Sequence, residues 1–299
     1  MTGFSLGLVL VSALAHASWN FLLKRSADQE AFLWCLLASA SVLLAPLGLA
    51  LFLRFPIDAP GPSPGQNPGW WFVGATIGLH GLYFLALGRG YANGDLSLVY
   101  PIARGLGPIL VPVLAVVFLG ETIAFPALVG IAVVVIGIYT VALWGNIKRF
   151  LGQPMVMLKD TGTRYAVFTG LTIVSYAIVD KSAVAYVQPF LYMYLMTLGS
   201  AIVLTPYMLW GRGLAAVRRT WHLNRGCIIL AGLLTFAAYG LVLTAMSLSR
   251  VSYVAPAREV GIVIGVLMGI FLLKEPFGRG RLLGSTFIIL GLVLIALSP

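Results

Sequence analysis

Ten stretches of predominantly apolar residues follow one another along the chain, and the charged residues collect in the short segments between them. A hydrocarbon core about 30 Å thick takes about 20 helical residues to cross. The pattern therefore predicts spanning helices at about 4–23, 31–53, 69–90, 96–119, 123–145, 164–184, 188–210, 226–248, 252–273 and 280–298. Between them, Pro56–Pro68 is rich in Pro and Gly and reads as an irregular aqueous connection. Lys148–Thr163 is the longest polar joint, and Gly211–Arg225 reads as a short basic loop. The predicted fold is an all-α integral membrane protein of ten helices.

The second five stretches repeat the first five. At an offset of 154, VYPIARGLGPILVPVLAVVFLGE (99–121) lies over YVAPAREVGIVIGVLMGIFLLKE (253–275). Ala103, Arg104, Gly107 and Glu121 meet Ala257, Arg258, Gly261 and Glu275, and further on Gly130 and Gly137 meet Gly284 and Gly291. Near the starts, SALAHASWNFLLK ends in Lys24 much as TGLTIVSYAIVDK ends in Lys181. Recurrence of Arg, Gly and Glu in one register exceeds what apolar composition produces by chance. Five is odd, so the copies would enter the membrane in opposite orientations, an architecture of transporters with a site near the midplane. The expected units are 1–147 and 164–299, joined by 148–163.

Composition agrees with this reading. Of 299 residues, 60% are hydrophobic and 9% charged, with mean hydropathy +0.99; soluble domains carry roughly 25% charged residues. The net charge of +10 would suggest nucleic acid in a soluble protein, but these basic residues sit at segment ends, as loop charges facing an anionic leaflet do. One side of the membrane receives Arg54, Lys181 and Arg250, and the other receives the remaining loop and segment-end Lys and Arg. The richer side is expected in the cytoplasm, which puts both termini outside. The first apolar stretch lacks the basic start of a cleaved signal and is expected to be retained. Cys35 and Cys227 form no CxxC and read as inert thiols.

These repeated residues resemble the EamA-type transporters of the drug/metabolite transporter superfamily. The resemblance rests on a first helix ending SWNFLLK, a fourth helix containing Pro, Ala and Gly, and FLGETIAFPALVGIAVVVIGIY echoed by FLLKEPFGRGRLLGSTFIILGLVLI. Among these carriers the chain is similar to the YddG-type exporters of aromatic and other amino acids. The resemblance implies a ten-helix secondary carrier in a bacterial inner membrane, with an amino acid or similar small metabolite as partner. Many relatives are thought to have cytoplasmic termini, the reverse of what the basic residues here indicate.

Ionisable groups inside a membrane are costly and usually face a cavity or a partner. Arg104, Arg258, Glu259, His16 and His80 lie well inside the predicted spans. An arginine there can bind a substrate carboxylate through a bidentate fork; equally, Glu259 can neutralise one arginine and tie the halves together. His80 and Tyr83 share a face of the third helix with Thr76, and Tyr100 precedes Arg104 by one turn. The expected substrate-binding residues are His80, Tyr83, Tyr100, Arg104, Arg258, Glu259, Trp19 and Tyr239, with Asn20 and Tyr176 as weaker candidates. Asp180 and Lys181 read as an interfacial pair, and Glu121 and Glu275 as carboxylates at the starts of the fifth and tenth helices. Prolines 101, 108 and 112 make the fourth helix easy to kink. Gly261, Gly265 and Gly269 make a small-residue seam on the ninth, which suits close helix packing or a homodimer.

Enzyme signatures are weak. Gly3–Gly7 matches GxSxG, but its serine opens a membrane helix with no acidic residue before Asp28. There is no Walker loop, HExxH or paired-aspartate motif. No catalytic residue, metal or cofactor is expected. A membrane enzyme acting on lipid-linked substrates and a channel-like facilitator are the alternatives to a carrier.

Overall fold

The computed structural model describes residues 1–57, 68–93, 96–144, 160–273 and 278–298. Every regular element among them is helical: α1 (Gly3–Lys24), α2 (Gln29–Leu43), α3 (Ala45–Arg54), α4 (Gly69–Asn93), α5 (Leu96–Leu119), α6 (Phe125–Leu143), α7 (Thr161–Ala183), α8 (Pro189–Pro206), α9 (Leu214–Leu248), α10 (Val251–Ala257), α11 (Val260–Leu273) and α12 (Arg279–Ala296). A π-helical turn, Tyr207–Arg212, continues α8. Within these residues eight spans are long and apolar enough to cross a membrane, and nine if the bent pair α2–α3 counts as one. Residues 58–67 of the expected loop Pro56–Pro68 and 148–159 of the expected joint Lys148–Thr163, together with Lys274 and Glu275, lie outside the described residues.

α7 falls short of a membrane span by apolarity because its polar residues face inward. Thr163, Thr169, Thr172 and Asp180 are all buried, and the helix packs chiefly against α4 and α5. A helix enclosed by other helices need not be apolar all round, since its hydroxyls find partners inside: Thr169 and Thr172 donate to Tyr165 O and Thr169 O.

Three expected elements differ in shape. The second helix bends by 57° between α2 and α3, where Pro46 enters the first turn of α3 and removes a backbone donor. Gly211–Arg225 is not a loop: it forms the end of the π turn and the first turns of the 35-residue α9. The ninth helix is broken at Arg258–Glu259, whereas α5, its sequence counterpart, runs through Arg104 without a break. Across the break the backbone tightens, with Glu259, Gly261 and Ile262 N–H donating to the carbonyls of Pro256, Arg258 and Glu259. These are 3₁₀-type spans.

α6 and α12 approach backbone to backbone. A Cβ added at Gly130 would stand 2.7 Å from Gly291 O, and one at Gly137 would stand 2.7 Å from Gly284 O. The glycine seam expected on the ninth helix is different in detail. Gly261 rests against Ala13 of α1, and Gly265 has nothing within 4 Å.

Charged ends are tied across the fold. Glu121 does not cap its own following helix; its carboxylate accepts from Val251 N (2.8 Å), Ser252 N (3.0 Å) and Ser252 Oγ (2.6 Å), closing the start of α10. Lys181 donates to Met246 O (2.5 Å) and Ser249 O (2.9 Å) at the end of α9. A cation there satisfies carbonyls that the helix leaves open. Ser5 of the GxSxG match accepts from Ser249 Oγ and takes part in the Thr2 cap of α1. Cys35 is buried and Cys227 exposed, both unbridged.

Candidate functional site

α4 supplies Thr76, His80 and Tyr83 at helical spacing, so the three stack along one face. α7 brings Tyr176 and Asp180, one turn apart, against that face, and α9 adds Tyr239. The rings form a box. His80 stacks on Tyr176 with centroids 4.3 Å apart, Tyr83 meets Tyr176 edge-on at 5.8 Å, and Tyr239 meets His80 edge-on at 5.5 Å. Such offset and T-shaped pairs suit the ring quadrupole and fix the rings in place.

Asp180, fully buried, anchors the box. Its Oδ1 accepts from Thr76 Oγ1 (2.8 Å) and Tyr192 OH (2.7 Å), and its Oδ2 accepts a short hydrogen bond from Tyr239 OH. Four helices, α4, α7, α8 and α9, thus converge on one carboxylate. It does not pair with Lys181, because consecutive helical residues point about 100° apart. Asp180→Ala leaves the Tyr239 hydroxyl buried without that acceptor, at a cost of about 1–3 kcal/mol. A lowered thermal unfolding midpoint in detergent would register it; an unchanged midpoint would mean that the carboxylate holds nothing together.

The same network sets the histidine tautomer. Thr76 O can only accept, so the 3.0 Å contact from His80 Nδ1 requires Nδ1–H. The Thr76 hydroxyl, having given its proton to Asp180, accepts from the same Nδ1–H at 3.0 Å. Neutral His80 then carries its lone pair on Nε2.

The two repeated arginines are in different states. Arg104 of α5 reaches the break in the second half, its Nη2 lying 2.9 and 3.1 Å from the two carboxylate oxygens of Glu259. Both side chains are largely enclosed, at 12% and 7% exposure. Arg258, on the other side of the same peptide, places its guanidinium 5.3 Å from the centre of the Tyr239 ring. Among the described residues it has no ion-pair or hydrogen-bond partner. Breaking a buried ion pair by removing one member costs about 3–5 kcal/mol, whereas removing both charges together is often near neutral. Arg104→Met is therefore expected to unfold more readily than the double variant Arg104→Met/Glu259→Leu; the reverse order in thermal unfolding would contradict the pairing.

The expected residues His80, Tyr83, Tyr239, Arg104, Arg258 and Glu259 thus come from four segments into one region. The weaker candidate Tyr176 stands at its centre. Trp19 is buried in a cluster with Phe84 against which Tyr83 packs, and its Nε1 donates to His16 Nδ1 at 3.2 Å. Asn20 donates to His16 O within its own helix. Tyr100 lies in α5, with its side chain outside the described ones. Sequence reasoning missed Asp180 and Tyr192. The i, i+4 spacing of Tyr176 and Asp180 was the available signal for Asp180.

Residues 161–297 match the EamA-like transporter family. This stretch, from the first residue of α7 to Leu297, carries an EamA-like transporter domain of the drug/metabolite transporter superfamily. Asp180, Tyr192, Tyr239, Arg258 and Glu259 all belong to it. Among curated proteins none matches the chain in sequence. A solved crystal structure of a protein is similar in fold, with a TM-score of 0.70 over 98% of this chain and 96% of that one, at 12% identity. At that identity the likeness speaks for the fold alone.

Proposed function

We propose that the protein is a secondary transporter in a bacterial inner membrane that exports small amphipathic metabolites, foremost amino acids, aromatic ones included. One observation carries the reading: Arg258 lies over Tyr239 beside the aromatic box while the other intramembrane arginine is committed to Glu259. A guanidinium with no ion pair among the described residues, next to stacked aromatics, suits a carboxylate attached to an apolar or aromatic side chain. His80 Nε2 supplies an acceptor for the ammonium group. The overall likeness to YddG-type amino-acid exporters favours the same substrates.

The proposed architecture is ten spans in two inverted five-helix units, 1–147 and 164–299. Here α2–α3 count as one span, α10–α11 as one, and α7 as the sixth. The glycines of α6 and α12 favour it. In sequence register Gly130 matches Gly284 and Gly137 matches Gly291, while in space Gly130 touches Gly291 and Gly137 touches Gly284. Exchange of this kind is what a two-fold axis between antiparallel copies produces. The basic-residue bias puts both termini outside the cytoplasm, and a homodimer is compatible with the exposed apolar flanks.

Uptake of a labelled amino-acid panel into proteoliposomes, with and without a pH gradient, tests the function. Saturable flux of particular amino acids is expected. Product formation in detergent without vesicles would favour a membrane enzyme, and non-saturating flux a channel; no flux from folded protein would overturn the amino-acid claim.

A further inference from the structure

The first turns of α9 line a groove whose lining residues are all different from those of the aromatic box. A groove of about 520 Å³ runs between α2 and α9, walled by Trp34 and Val42 on one side and by Val217, Trp221 and Ile229 on the other, with Arg218 and His222 at its polar edge. This volume falls in the range of ligand cavities, about 300–1,000 Å³. Arg218, His222 and Arg225 recur at i, i+4 and i+7, so they share one face of the helix. Among the described residues no acidic one lines the groove. The carboxylates at the start of α2 are already engaged: Asp28 lies 2.8 Å from Arg212, and Glu30 accepts from Tyr207 OH at 3.1 Å and lies 3.8 Å from Arg212. Among the described residues Arg218, Arg219 and Arg225 have no ion pair, which leaves this edge of the groove positive. The apolar wall stays open, Val42 being 74% exposed.

A groove with an apolar body, two tryptophans and a cationic mouth matches a lipid in both its parts. Tryptophan favours the depth of the headgroups, and Lys and Arg clusters beside a span attract anionic headgroups. We propose that the α2–α9 groove binds an anionic phospholipid, its phosphodiester against Arg218 and His222 and an acyl chain along Val42 and Ile229. Binding of a ligand to the folded state raises the unfolding midpoint in a concentration-dependent way.

The test is thermal unfolding of the full chain in detergent, titrated with dioleoyl phosphatidylglycerol, dioleoyl phosphatidylcholine or glycerol phosphate. Phosphatidylglycerol is expected to raise the midpoint by several degrees, and the other two to leave it near the lipid-free value. Arg218→Ala/His222→Ala removes the headgroup contacts and Val42→Trp fills the chain path; all three side chains are exposed, so each variant should keep its lipid-free midpoint and lose the phosphatidylglycerol shift. An equal shift with phosphatidylcholine would overturn the proposal, as would full reproduction by glycerol phosphate or a shift that survives in both variants. Transport need not be measured, so failure here is distinct from failure of the carrier reading.

Discussion

Arg258→Ala is expected to cut transport of a carboxylate-bearing substrate by about 10–100-fold at subsaturating concentration while folded protein accumulates as in the wild type. A charge-assisted hydrogen bond contributes about 1.5–3 kcal/mol, and each 1.4 kcal/mol is tenfold in binding. The contrast with Arg104 is the useful part. Removing Arg104 strands Glu259 in a site where it is 5% exposed, so the loss appears first as instability. Removing Arg258 strands no acid among the described residues, so the loss appears as flux. Arg258→Lys should fall between wild type and alanine, since an ammonium keeps the charge but loses the planar fork. Flux measured in proteoliposomes at matched protein content checks this; wild-type flux in Arg258→Ala would remove the arginine from the site.

Gly137→Val is expected to have the largest effect on folding. The added Cβ would meet Gly284 O at 2.7 Å and Ile288 N at 2.8 Å, and both are backbone of α12. Neither can swing aside as a side-chain tip can. The helices would have to separate along their whole contact, which also parts Gly130 from Gly291 O. Overpacking typically costs about 1–3 kcal/mol and occasionally more; here two helix backbones oppose each other, so the upper end or beyond is expected. Little monodisperse protein should survive extraction. Gly78→Ala on α4 is the control, because nothing stands within 4 Å of a Cβ there. Equal yields from both would mean that the α6–α12 contact does not hold the fold.

Much of this arrangement is legible in the chain because burial in a membrane imposes simple rules. Long apolar runs marked the helices, and the scarcity of ionisable residues within them narrowed the candidate site to a few side chains. What escaped has physical causes. A hydropathy pattern reports where a helix leaves the apolar region, not where it ends, so the basic turns at the start of α9 read as a loop although no Gly or Pro interrupts 214–225. The break at Arg258 depends on tightened turns after Pro256, while α5 runs straight through Pro101 and Pro108. Proline alone therefore does not tell which helix breaks. Asp180 was obscured by its charged neighbour. In a helix the same-face neighbours are three or four residues away, as Tyr176 is from Asp180, and the groups that hold this carboxylate come from three other helices.

A substrate carboxylate is expected to meet Arg258 beside the aromatic box. Counterflow tests it most directly: vesicles loaded with unlabelled phenylalanine or with phenethylamine, its counterpart without the carboxylate, are given labelled phenylalanine outside. Transient accumulation of label is predicted with phenylalanine inside and not with phenethylamine, and it should be lost in Arg258→Ala. Equal accumulation with phenethylamine inside, or accumulation that persists in the variant, would contradict the account.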